Sequence, residues 1–201
     1  CRALCSFCAE NWTRKPYRET DIAALISSAL EMKARMGLEE IDLFSFNFNM
    51  HTKIYELLWE LAPFFSRIGL KSQRIDMLSR EAVMVECQKA LGKMTFSAGV
   101  EGVSPRLRRY LNKNLSDAAL YKSIDLIFAA RARELKIFML STGREEEPDY
   151  IELEKTLTAI RSAKEKYRAL TRVIFSITPL VRFPWTPLEF DEAPGVDVHT
   201  G

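Results

Sequence analysis

The sequence predicts an α/β protein built on a parallel sheet, and three observations carry that expectation. Strand-length apolar runs alternate with amphipathic helical segments five times, at steps of roughly 20 to 40 residues, a rhythm that parallel strands joined by right-handed crossovers produce. The residues ending those strands are polar: Ser45, Asn47 and Asn49; Ser97 and Glu101; Ser141, Thr142 and Glu145; Ser176 and Thr178. Parallel sheets carry their sites at these carboxyl ends. Finally, three of the four cysteines (Cys1, Cys5 and Cys8) fall within the first eight residues.

The spacing Cys1-x3-Cys5-x2-Cys8 reads as a metal or iron–sulfur site, because thiols gathered this tightly have no disulfide framework to serve. A closed structural zinc site takes four ligands, and the remaining cysteine, Cys87, lies far along in a predicted helix. Three thiolates on a four-iron cluster leave one iron open to another ligand. The plain alternative puts the cysteines on one helix face as small buried hydrophobes. Phe7 beside Cys8, and the run Arg14-Lys15-Pro16, argue against a simple core helix. Trp12, Tyr17 and Arg18 either shield the cysteines from water or pack the long loop.

Taken in order, Thr20 is placed to cap a helix over residues 21–36, with Ile22, Leu25, Ile26, Ala29 and Leu30 as its stripe and Gly37 as its stop. Residues 41–48 read as a largely buried strand, with Phe44, Phe46 and Phe48 making both faces apolar. A helix follows from about Thr52, ended by Pro63. Residues 73–78 read as a short strand, and Ser79 as the cap of a third helix that finishes at Gly92. The next strand covers 94–98. Ser104-Pro105 supplies a cap and a first-turn proline for a helical turn to about Asn112. Ser116-Asp117 starts a helix reaching Glu134, residues 136–140 form a strand, 148–168 a helix and 172–177 the last strand. The arginines Arg106, Arg108 and Arg109 read as a solvated helix face.

At 201 residues the chain reads as one domain over 1–190, followed by a linker or tail over 191–201 rich in Glu, Asp, Pro and Gly. Hydrophobic content of 47%, charge of 28% and a net charge of +2 suit a globular protein and give no reason to expect nucleic acid or another polyanion. No apolar run reaches the roughly 18 residues of a membrane helix, no signal peptide is visible, and unpaired clustered thiols suit a reducing cytoplasm. The two histidines, His51 and His199, have no partners for a hydrolytic triad. The apolar 41–48 strand belongs inside a sheet, so a further strand is expected upstream of Cys1.

Cys1, Cys5, Phe7 and Cys8 together match Cys-x3-Cys-x-aromatic-Cys, and in this the chain resembles the radical S-adenosylmethionine superfamily. The stretch from Ser97 to Ser104, followed by Arg106, Arg108 and Lys113, is similar to its cobalamin-associated members, whose cobalamin domain would lie outside this chain. The resemblance implies an incomplete (β/α)6 barrel of the partial TIM type, with its first strand upstream. Cys1, Cys5 and Cys8 would hold a 4Fe–4S cluster whose open iron takes the amino and carboxylate groups of S-adenosylmethionine. Phe7 would pack near cluster and adenine, Glu101 meet the ribose or amino group, and Lys113 the carboxylate. Asn47 would stand in for an absent Gly-Gly-Glu. Ser176, with Pro184-Trp-Thr186-Pro187, resembles the sixth-strand ending, whereas Ser141 departs from the usual Gly-x-Pro-Gly-Glu and Glu145 keeps it. The implied activity is reductive cleavage of S-adenosylmethionine to a 5′-deoxyadenosyl radical that abstracts hydrogen from a small-molecule or peptide substrate. Electrons would come from a donor such as flavodoxin or ferredoxin. The alternative from another class is a non-catalytic zinc-binding or interaction module on a degenerate barrel.

Overall fold

The first long helix begins where a side chain can satisfy its open N–H groups. In the computed structural model, which describes residues 1–192 and the backbone of 196–197, α1 (Ala9–Thr13) follows the cysteines and α2 spans Ile22–Met36. Asp21, rather than Thr20, caps α2: its carboxylate accepts from Ala23 and Ala24 N–H at 3.0 and 3.3 Å. Gly37 closes the helix in the left-handed region at φ 64°, where a side chain is disfavoured.

Strand β1 (Glu40–Leu43) is shorter than the 41–48 run expected. It pairs in parallel with β2 (Arg67–Leu70), and its last rung is Lys71 N–H to Leu43 carbonyl at 3.0 Å. Beyond it no further rung forms among the described residues, and the chain leaves the sheet through a short 3-10 segment at Phe48–Met50. Phe44 is therefore 80% exposed rather than interior, and only Phe48 of the three phenylalanines is buried. Among the described residues, β1 pairs with β2 alone.

Between these strands lies α3 (Ile54–Leu61), which buries Ile54, Leu57, Leu58 and Leu61. The strand expected at 73–78 is not there. Ile75, Leu78 and Ser79 share one face of α4 (Ile75–Arg80), and Ser79 sits inside that helix instead of capping α5 (Val83–Ala90). A short apolar run fits either period, and here the 3.6-residue period wins because it buries Ile75 and Leu78 together. Gln73 alone keeps a strand-like role, through a single parallel bridge to Ala98. That bridge joins the β1–β2 pair to a second parallel group, β3 (Thr95–Glu101), β4 (Glu134–Ser141) and β5 (Arg172–Pro179). Thr95 stands opposite Glu134 and Glu134 opposite Arg172, and each strand runs past its expected end because its neighbour offers rungs there.

Side chains along β3 alternate strictly. Phe96, Ala98 and Val100 are buried, as are Leu135, Ile137 and Met139 on β4, and all pack with the helices in one core. The helices include α6 (Pro105–Tyr110), α7 (Asp117–Ala129) and α8 (Glu147–Tyr167). The other face of the sheet carries Ser97, Gly99, Lys136, Phe138 and Ser176, none of which is buried. The protein is thus an α/β structure of parallel strands alternating with helices, and no closed barrel forms among the described residues. A two-residue pair, β6 (Val181–Arg182) with β7 (Val196–Asp197), ends it. Asp191 still engages the body, accepting from Arg144 at 2.7 Å and from Tyr110, while most of the expected tail, with His199, lies outside the described residues. No described helix is long and apolar enough to cross a membrane.

Arg108 is not on a solvated face. It is 1% exposed and donates to the carbonyls of Leu115 (3.0 Å) and Gly102 (3.2 Å) and to Asp117, which fixes the connection between α6 and α7. Arg106 and Arg109 are exposed as expected, and Arg106 also reaches across to Asp149 at the start of α8. The Arg106 guanidinium, with Ser104 and the Glu146 N–H, holds the buried Asp149 carboxyl down at about 2 against the opposing effect of burial. A carboxyl depressed on folding stabilises fully above about pH 4 and loses that contribution as pH falls towards its folded value. Asp149→Asn is expected to lower stability at pH 7 by about 2 kcal/mol and to flatten the loss between pH 4 and 2. Denaturant midpoints of both proteins across that range check this.

Candidate functional site

Loops leaving the carboxyl ends of the strands enclose a cavity of about 540 Å³. Its wall brings together Cys1, Cys5, Phe7, Cys8, Asn47, Glu101 and Lys113, seven of the eight site residues expected from the sequence. Ser176 is not on the wall; Thr178, two residues further along the same face of β5, is.

The cysteine segment has little regular structure and is held from outside. Ser6 donates its N–H to the Leu111 carbonyl and its hydroxyl to the Tyr110 carbonyl, both at 3.0 Å, which ties the segment to the end of α6. The Trp12 indole N–H donates to the Cys5 carbonyl at 3.0 Å, and the Cys8 N–H turns back to the same carbonyl at 3.3 Å. Trp12 therefore packs and pins the loop. Cys5 is 7% exposed, and burial pushes its thiol up while Lys113 and Arg74 pull the other way. The Asn47 amide donates to the Cys1 sulfur at 3.0 Å. Phe7 packs on a small apolar group formed by Leu111, Leu180 and Leu188, separate from the main core.

Glu101 ends β3 in an unusual conformation, with φ at 67° and a register irregularity between Gly99 and Glu101. A non-glycine residue held there stores strain of about 1 kcal/mol or more, and such strain gathers at functional sites. The turn aims its carboxylate back over Gly99, where any Cβ would collide with it. Glu101 Oε1 lies 3.3 Å from Lys113 Nζ, and both side chains are largely buried, at 14% and 9% exposed. Ser72, at the end of β2 with φ 54°, is a second strained residue on the same wall.

Sequence reasoning missed part of the wall. Lys71 and Arg74 belong to it because β2 ends at Leu70, several residues before the expected strand. Asn11 belongs too; its Oδ1 is buried without a hydrogen-bond partner while its amide donates to the Ala3 carbonyl. No motif marks Asn11. The run Arg67-Ile-Gly-Leu70 after Pro63 was the signal for β2. Phe44 and Phe46, expected inside the sheet, stand on the wall instead. Glu145 serves its own turn, accepting from Thr142 N–H at 2.7 Å. His51 has a local role, with Nε2 3.0 Å from the Thr20 carbonyl and Nδ1 accepting from Lys53 N–H.

The donor set suits a metal cluster: three cysteines, none in a disulfide, on one cavity wall. Among the described residues no three His, Cys, Asp or Glu side chains gather round a single point to hold one ion. Cys87 sits on α5 and is not on the wall. No protein-family model matches the chain, and no curated protein matches it.

Burial of Cys5, whose carbonyl the Trp12 indole N–H holds, has a direct chemical consequence. Cys5 is expected to alkylate more slowly than Cys1 and Cys8 in the metal-free protein. Trp12→Phe should speed Cys5 by about fivefold, the equivalent of one hydrogen bond of about 1 kcal/mol. Mass-spectrometric labelling rates check both.

Proposed function

We propose that the chain is the core of a radical S-adenosylmethionine enzyme, its strands forming part of a (β/α)6 barrel. The observation that carries this reading is convergence. Three separated cysteines in the Cys-x3-Cys-x-aromatic-Cys pattern meet Asn47, Glu101 and Lys113, from distant parts of the chain, on one cavity at the strands' carboxyl ends.

Cys1, Cys5 and Cys8 would hold a 4Fe–4S cluster. When bound, that cluster and S-adenosylmethionine supply one-electron cleavage of a carbon–sulfur bond and hydrogen-atom abstraction from a substrate carbon. The chain's own residues bind, orient and keep water out. Asn47, donating to the Cys1 sulfur, withdraws charge from it, as outer hydrogen bonds to cluster thiolates do. Glu101 and Lys113 neutralise one another at 3.3 Å. Glu101 would accept a hydrogen bond from the ribose or amino group of bound S-adenosylmethionine, and Lys113 would donate to its carboxylate. Phe7, Phe44 and Phe46 supply apolar surface for a nucleoside. Ser176 lies below the rim, so on β5 the nearer contact falls to Thr178. An external one-electron donor, such as flavodoxin or ferredoxin, belongs to the same proposal.

The test is anaerobic reconstitution followed by iron and sulfide analysis and absorption near 400 nm (roughly, the region of Fe–S charge transfer). One four-iron cluster is expected, lost in Cys1→Ala, Cys5→Ala and Cys8→Ala and kept in Cys87→Ala. Full iron in Cys5→Ala, or one zinc in place of iron, overturns the reading. By equilibrium dialysis, Glu101→Ala should weaken S-adenosylmethionine binding by about 1–3 kcal/mol, the cost of one charged hydrogen bond.

A further inference from the structure

Both neighbours of Cys5 are held by one part of the fold, the carboxyl end of α6. Leu4, just before the cysteine, accepts through its carbonyl from the Asn112 side-chain amide. Ser6, just after it, donates its N–H to the Leu111 carbonyl and its hydroxyl to the Tyr110 carbonyl, both at 3.0 Å. Cys5 therefore stands where residues 110–112 place it.

The Tyr110 side chain is in turn held by the last part of the chain to engage the body. Leu180 N–H donates to the Ser141 carbonyl at 2.8 Å, and from there to Asp191 the chain forms a strap. Its Leu180 and Leu188 pack with Leu111, and Phe7, between Cys5 and Cys8, rests on the same group together with Tyr110. Asp191, the first residue of the expected tail, fastens the strap. Its carboxylate accepts from the Tyr110 hydroxyl and, at 2.7 Å, from Arg144 Nη2, while its carbonyl accepts from Arg182 Nη1 at 2.6 Å. The Arg144 guanidinium also lies over the Tyr110 ring, 5.0 Å from its centre. Ring and hydroxyl are thus held by a cation and an anion that are themselves paired. The Asp191 side chain is only 17% exposed, and hydrogen bonds to an ionised acceptor strengthen where water is kept away.

A second tyrosine–aspartate pair supplies the contrast. Tyr167, at the end of α8, donates to Asp125 of α7 at 2.7 Å, and Lys166 donates to the same carboxylate at 2.9 Å. The chemistry is the same, but this pair ties helix to helix and neither residue lines the cysteine cavity.

We infer that Asp191 is a positioning residue for the cysteine site: through Tyr110 it sets the end of α6, and the end of α6 sets Cys5. Release of the strap uncovers that thiol. The inference rests on the enzymatic reading only in naming Cys5 a cluster ligand, and the positioning itself is a property of the chain without cluster or S-adenosylmethionine.

The experiment uses the metal-free full chain and follows the alkylation rate of each cysteine by mass spectrometry. Cys87, on α5 and away from the cavity, reports any general loosening. Tyr110→Phe removes only the hydroxyl and is expected to speed Cys5 about fivefold, the equivalent of one hydrogen bond, with Cys87 unchanged. Asp191→Ala should speed Cys5 at least as much, and adding Tyr110→Phe to it should add nothing, since both break the same contact. Tyr167→Phe should leave Cys5 at its original rate. An unchanged Cys5 rate in Tyr110→Phe and Asp191→Ala, a rise that Cys87 shares, or an equal rise in Tyr167→Phe overturns the inference and leaves the strap as a closure of the fold. Iron content after reconstitution is a separate reading. A four-iron cluster with unshifted labelling removes the positioning role alone, and shifted labelling without iron removes the cluster assignment alone.

Discussion

Parallel strands spend their backbone groups on their neighbours and send successive side chains to opposite faces, and here the helices cover only one of those faces. Phe96, Ala98 and Val100 on β3, and Leu135, Ile137 and Met139 on β4, go to the covered side and make the main core. Ser97, Gly99 and Lys136 go to the other side by the same rule. Every feature with chemical interest stands on that uncovered face or at its rim. The alternation that builds the core is what keeps polar groups available.

The rim itself is built by contacts remote in sequence. The cysteine segment gains its shape from carbonyls at Tyr110 and Leu111 and from Trp12, not from pairing within itself. Glu101 accepts an unfavourable φ because the register irregularity at the end of β3 forces a turn there, and Gly99 leaves room for its carboxylate. Both ends of the Glu101–Lys113 pair are carried by the connection that Arg108 braces from beneath. A buried arginine with several acceptors thus positions a lysine that reaches the cavity.

The charges sort by what surrounds them. The buried Asp149 under the exposed Arg106, and the internal pair of Arg74 with Asp76, hold helix starts and loop ends. The surface pairs along α2 and α8, such as Arg35 with Glu31, contribute little in water. Between these extremes lies Lys71, half-exposed on the cavity wall and paired with Asp42 at 3.2 Å.

By itself the sequence determined the alternation of strands and helices, the positions of β3, β4 and β5, the Ser104-Pro105 start of α6, and the grouping of Cys1, Cys5 and Cys8. These are local properties: period, caps and spacing survive whatever the rest of the chain does. It placed β2 wrongly and made β1 too long, because a four-residue strand carries too little pattern to outweigh a neighbouring apolar run. Arg108 reads as a surface residue until Leu115 and Gly102 fold back to meet it. Tertiary structure alone decided that Asn47 reaches Cys1, that Glu101 meets Lys113, and that Asp42 fills the space over Gly69. Each of those contacts depends on the register between strands or loops far apart in sequence, and register is fixed only when the whole sheet pairs.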